Sequence, residues 1–201
     1  MTVKIYVEGG GDRRAQQVEL RRAFSTVFEK CGFDRPRTPS VTCCGSRNAA
    51  YSDFVTSLSK IGDLALLLVD SEGPVAGCYW NYVVSRDSWV RPAQANDDQL
   101  HFMMELMESW FLADREALEK FFGEGFTKTS LPGRSDNVDT IPKHDVEVGI
   151  DNASRHSKRG KYHKGQHSAD ILCLIDIVKL KAASKSFREV IAAVRARSVS
   201  G

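Results

Sequence analysis

At 201 residues and 22.4 kDa, with 42% apolar and 27% charged residues, the chain is long enough to bury a core and too apolar for a disordered segment. A net charge of +2 is too small to predict nucleic-acid binding by itself, so any basic surface must come from local clustering. The five cysteines (31, 43, 44, 78 and 173) show no C-x-x-C spacing, which argues against a disulfide framework or a zinc site and predicts reduced, mostly buried thiols.

Residues 3–7 alternate as a strand, and 13–31 follow a helical pattern with Val18, Phe24, Val27, Phe28 and Cys31 on one side. Between them stand Glu8, the run Gly9-Gly10-Gly11, and Asp12, an expected helix cap. Gly32 suits the helix end, Pro36 and Pro39 mark a loop, 40–44 reads as a second strand, and 49–60 as a second helix closed by Gly62. Residues 64–69 are uniformly apolar, as in a strand covered on both faces of a parallel sheet, and too short to cross a bilayer. The segment 2–7 is too short for a signal peptide, so the expected location is the cytoplasm, with no membrane association.

Strand, helix, strand, helix, strand predicts right-handed crossovers and an α/β fold with a central, mostly parallel sheet flanked by helices. Ligands gather at the carboxyl ends of such strands, where both Glu8 and Asp70 fall. Further on, 97–122 reads as helical with breaks, 123–144 as a long loop, 155–167 as a polar basic stretch, and 171–180 and 187–194 as closing helices. One domain is expected over 1–201, with the acidic motifs in 1–95 and a helical and basic-loop elaboration in 96–201.

Asp70-Ser71-Glu72 sets two carboxylates two residues apart beyond the apolar strand, so both can reach one ion from the same side. With Glu8 at a neighbouring strand end, three hard oxygen donors suit Mg²⁺ or Mn²⁺. Taken singly, each acid also reads as a solvated turn residue. The three glycines fit neither the P-loop nor the dinucleotide spacing; they are either a flexible turn or a backbone that a phosphate can approach closely.

VEGGGD with the later LLLVDSEG resembles the Toprim arrangement of topoisomerases, primases and OLD-type nucleases, where a glutamate after the first strand joins a D-x-D or D-x-E pair. HFMMELMESWFLADREALEKFFG and KYHKGQHSADILCLIDIVKLKAASKSFREVI are similar to two later signatures of the DUF4276 family, small Toprim-like proteins often found in phage-defence loci with ATPase partners. The resemblance runs from residue 4 to about 194. It implies a Toprim-like Rossmannoid fold, with Glu8, Asp70 and Glu72 at the acidic positions. Glu108, Trp110 and Asp114 match M-E-x-W-x-x-A-D, and Tyr162 and Lys164 match Y-x-K. The pair here is D-x-E, which lengthens its second arm.

Glu105 and Glu108, three apart on the expected helix, are neighbours there, and Glu108 at the apolar boundary needs a partner: a structural Arg or Lys, or the metal site with Lys164. Arg155, Lys158, Arg159, Lys161 and Lys164 are uninterrupted by acids and suit a phosphate backbone, with Tyr162 free to stack on a base; a solvated surface loop is the alternative. His163 and His167 lack a second ligand pair. The expected function is a divalent-metal-dependent nuclease acting on DNA or RNA in anti-phage defence. Glu8, Asp70 and Glu72 would hold the metal and Glu108 would support it. Lys164, aided by Arg47, would neutralise the phosphate. The expected partners are an AAA/ABC-type ATPase of the same defence locus and nucleic acid, with homo-oligomerisation left open; the competing expectation is a non-catalytic module that binds both.

Overall fold

In the computed structural model, residues 2–35 and 37–198 are described, so Pro36 of the expected loop lies outside them. The opening alternation becomes β1 (Lys4–Val7), followed by α1 (Arg14–Lys30), β2 (Ser40–Cys43), α2 (Arg47–Ile61) and β3 (Ala65–Asp70). Every residue of β3 is buried, as its uniform apolarity demands of a strand covered on both faces. α3 (Tyr79–Asp87) leads to β4 (Leu100–Met103), then come α4 (Arg115–Phe122), α5 (Lys143–Ser154), α6 (Lys164–Leu174), α7 (Ile177–Ala183) and α8 (Lys185–Ser198).

The four strands form a parallel sheet in the order β2-β1-β3-β4, with Val7 opposite Cys43 on one side and Leu68 on the other. Because β2 and β3 lie on opposite sides of β1, the chain reverses its direction of winding there. That is where α/β sheets collect ligands beyond their carboxyl ends. Asp70 is the last residue of β3, and Glu8 directly follows β1.

Four sequence expectations change. The closing helix expected over 171–180 is broken at Ile175 and Asp176 into the end of α6 and the start of α7. The stretch 97–122 is not one helix: LHFM is a fully buried strand, Met107–Ala113 is a 3-10 helix, and only α4 is α-helical. A four-residue run carries no period that separates strand from helix, and pairing in the sheet decided it. The loop over 123–144 holds two short 3-10 turns and ends at Pro142, where α5 begins. Asp12 does not cap α1, since Arg13 holds that position without a side-chain bond, whereas Ser46 does cap α2, accepting from the Ala49 amide at 3.2 Å.

The chain forms two compact units. One comprises the residues up to Val69, Val75–Phe102 and those from Glu189 on; the other comprises Asp70–Pro74 and Met103–Arg188. Phe24, Phe28, Phe54, Leu66 and Phe102 are fully buried in the first, and Trp110, Phe111, Phe122 and Phe187 in the second. Trp110 meets Phe187 edge-on at 5.1 Å, a favoured aromatic geometry. Among the described residues there is no disulfide: Cys31 and Cys43 are buried, Cys44 and Cys173 half-buried, and Cys78 exposed. No described helix is long and apolar enough to cross a membrane.

Candidate metal centre

In the first unit the β1–β3 pairing continues one step past the strand, with the Glu8 amide donating to the Leu68 carbonyl at 3.1 Å. The sheet therefore delivers Glu8 to its carboxyl edge. The glycines that follow make a packed turn: Gly9 and Gly45 exchange amide–carbonyl bonds at 3.0 Å. Gly10, at φ +86°, lies so near α1 that a Cβ there would come within 2.8 Å of the Gln17 Cα. The close approach that requires glycine is thus to the protein's own first helix.

Arg47, in the first turn of α2, grips Asp87 with two donors, Nε at 3.0 Å and Nη2 at 2.8 Å, and reaches Glu8 Oε2 with Nη1 at 3.4 Å. Its guanidinium lies 4.8 Å from the centre of the Trp89 ring, which is stacked on Tyr51. Burial works against the Arg47 charge, but Asp87 and then Glu8 outweigh it and raise its pKa. Arg47 was legible as a cation near the site; Asp87 was not, because it sits on a helix without a clear sequence signal.

In the second unit the acids form a hydrogen-bonded turn. Asp70 Oδ1 accepts the Met107 amide at 2.8 Å, and Oδ2 lies 3.2 Å from Lys164 Nζ. Ser71 Oγ accepts the Glu105 amide at 2.7 Å, and the Glu72 amide donates to the Glu105 carbonyl at 2.8 Å. These bonds hold Glu72 at φ +65° and Glu105 at φ +62°, left-handed conformations that cost a non-glycine residue about 1–2 kcal/mol. Glu105 then accepts the Lys143 amide at 3.0 Å, and the Lys143 ammonium donates to the Glu72 carboxylate. Glu105 and Glu108 are therefore not neighbours on one helix, as their spacing suggested. The first lies in this turn, the second in the 3-10 helix, and both are buried.

Glu108 Oε1 accepts from the Tyr162 hydroxyl at 2.7 Å; Oε2 is buried, accepts no aligned hydrogen bond, and lies 3.3 Å from Lys164 Nζ. The Lys164 side chain is 52% exposed, while those of Asp70 and Glu108 are 4% and 3% exposed. Two buried acids thus share one ammonium, carried on a half-exposed side chain. Burial opposes the Lys164 charge, but Asp70 and Glu108 hold its pKa well above the ordinary lysine value. Lys143 is raised in the same way, Glu72 outweighing its burial. Tyr162 is pushed well up by burial and then by Glu108, so it remains a donor.

The basic stretch divides. Lys161 pairs with Asp151 at 2.6 Å, Arg159 covers the Phe121 ring at 4.4 Å, Arg155 donates to Asn152, and Lys158 follows a backbone bond from its amide to Glu124. Tyr162 does not present a ring for base stacking: its hydroxyl is engaged by Glu108 and its ring meets Phe111 and His167 edge-on or tilted. Of the motif residues, Trp110 is core, and Asp114 ties down α7 by accepting the Asp176 amide at 3.0 Å and the Lys179 ammonium at 2.6 Å. Lys143 was missed by sequence reasoning because nothing local links it to an acid 71 residues earlier.

The carboxylates of Glu8, Asp70 and Glu72 are a donor set that could hold a metal ion. The chemistry fits a hard divalent cation. The oxygens are carboxylate oxygens, with Glu8 and Asp70 at strand ends and Glu72 in the turn beyond β3, and in the second unit Glu108 Oε2 is left without an aligned donor. Fold and residues together define an α/β protein with an acidic centre at the carboxyl edge of a parallel sheet. The chain belongs to the DUF4276 family, a domain of unknown function whose family model matches residues 7–195. No curated protein and no solved structure matches it.

Proposed function

We propose that this chain is a divalent-metal-dependent, Toprim-like nuclease, related to the OLD-type enzymes, that cleaves DNA or RNA as the effector of an anti-phage system with an ATPase partner. The observation that carries the reading is the half-exposed Lys164 side chain, whose ammonium is set against two buried acids, Asp70 and Glu108. A cation held over buried acids at the surface of the fold is an arrangement that a phosphate can approach.

Asp70, Glu72 and Glu8 would hold Mg²⁺ or Mn²⁺, which when bound supplies a Lewis acid for a phosphoryl oxygen and a water of lowered pKa. Lys164 stays protonated at neutral pH, so it serves as charge and hydrogen-bond donor to a phosphate oxygen and not as a base. Tyr162, also protonated, keeps Glu108 aimed at Lys164. Arg47, fixed by Asp87 and Trp89, holds Glu8 in place and adds positive charge for a phosphate.

Single- and double-stranded DNA and tRNA, each incubated with Mg²⁺ or Mn²⁺ and with the ATPase of the same locus, form the test. Cleavage should appear with metal and fall by at least about a hundredfold in Asp70→Ala and Glu8→Ala variants that retain the fold. Unchanged cleavage in both variants would sink the proposal. A second reading, a non-catalytic module that docks the ATPase and tethers nucleic acid, is favoured by one observation: Lys143 and Lys164 already give the acids cationic partners without metal. On that reading, binding to the ATPase survives Asp70→Ala and no cleavage is seen under any metal.

A further inference from the structure

Lys143 is the first residue of α5, directly after Pro142, a position where the positive end of the helix dipole disfavours a cation. Its placement is nonetheless tightly specified. Three bonds close a ring within the second unit: the Glu72 amide to the Glu105 carbonyl, the Lys143 amide to Glu105 Oε2, and the Lys143 ammonium to the Glu72 carboxylate. Two of the three corners, Glu72 and Glu105, hold left-handed backbone to complete it. Glu147, one turn along α5, adds a weaker contact to the same ammonium at 3.9 Å. The main chain of Lys143 is therefore anchored by one acid while its flexible side chain neutralises another. The side chains of Lys143 and Glu72 are 33% and 26% exposed, so the pair can open without unpacking the core.

We propose that the Lys143 ammonium is an internal competitor for the cation at Glu72: it neutralises that carboxylate in the metal-free protein and yields it when a divalent ion binds, and so sets the metal affinity. The inference rests on the metal-site reading above. An ammonium makes one compact contact with a carboxylate and leaves readily, and a divalent ion carries twice its charge, so exchange is favoured once metal is present. A bidentate arginine in the same place would resist exchange.

The test is titration of the full chain with Mn²⁺ alone, followed by electron paramagnetic resonance of the free ion and by the Mn²⁺-induced shift in Tm. Circular dichroism confirms the fold of each variant, and Lys143→Gln stands in should Lys143→Met fail to fold. Lys143→Met should bind Mn²⁺ about tenfold more tightly than the wild type, the Coulombic effect of removing one nearby positive charge at close to solvent screening. Mn²⁺ should also raise its Tm by more. In a Glu72→Gln background the gain from Lys143→Met should vanish. Equal or weaker binding by Lys143→Met, with the wild type binding Mn²⁺, overturns the competitor and leaves the metal site standing. A gain that persists without the Glu72 carboxylate also overturns it, since general electrostatics would then explain the effect. Absence of Mn²⁺ binding in the wild type and in Lys143→Met alike overturns the metal-site reading and the competitor with it, whereas binding only after Lys143→Met supports both.

Discussion

The two units solve the problem of the buried ionisable group in opposite ways. The first keeps its interior neutral or rigidly paired. His101, 6% exposed, bonds the Asp98 carbonyl through Nε2 at 3.0 Å, and burial lowers its pKa to about 4; Glu8 faces an arginine locked by Asp87 and Trp89. The second keeps its charges and balances them with lysines, Lys143 on Glu72 and Lys164 on Asp70 and Glu108. A guanidinium held by a two-pronged carboxylate and a ring is a permanent fixture, whereas an ammonium on a flexible stem is a counter-ion that another cation can replace. If the proposed exchange of Lys143 for a metal ion holds, the lysine-balanced acids are where it takes place.

The contrast can be tested through pH. The folded pKa of His101 lies below its unfolded value, so between about pH 6.5 and 4 the unfolded chain binds the extra proton and stability falls as pH falls. Acidification from pH 7 to 4 should cost about 3 kcal/mol from this group, and His101→Phe should flatten that part of the urea-unfolding profile. An unchanged slope would mean that the ring is not kept neutral. Lys164 has the opposite sign. Its raised pKa contributes stability that is complete below the unfolded lysine value, about 10.4, and is lost as pH rises through the folded value.

Lys164→Met should come next in size. It strands two buried acids, and allowing for the lysine's own half-exposure the loss should be about 2 kcal/mol, partly recovered by Mn²⁺. Arg47→Lys tests the other side of the contrast. It keeps the charge but loses the fork and the stacking, and should cost about 1 kcal/mol with no recovery on adding Mn²⁺; recovery would erase the distinction between the units. Asp114→Ala removes an acceptor from the Asp176 amide and should cost a similar amount without touching metal affinity. The smallest effect is expected at Lys161, whose exposed pair with Asp151 makes Lys161→Ala worth less than about 0.5 kcal/mol. If nucleic acid binds this stretch, the same change should lower the slope of log affinity against log salt by about 1.

What could be read in advance was local. Glu8 and Asp70 stood out because each ends an apolar strand pattern, and Phe24, Val27 and Phe28 because helical spacing put them on one side of α1. β4 was hidden inside a helix-like stretch because LHFM is too short to show a period, and α5 because its signals, Pro142 and a modest apolar stripe, followed a long irregular segment. Tyr162 looked free to stack because no neighbouring residue reveals that Glu108, 54 positions earlier, takes its hydroxyl.

The order of the first three strands and two helices, the burial of β3 and the delivery of acids to strand ends were therefore determined by sequence alone, since hydrophobic periodicity and strand-end polarity act over a few residues. The partners of those acids were decided only by the tertiary structure. Lys143 reaches Glu72 across 71 residues, Lys164 reaches Asp70 across 94, and Asp87 fixes Arg47 across 40. No propensity encodes such meetings. They exist because packing of the helices brings distant cations to places where burial leaves a carboxylate in need of one.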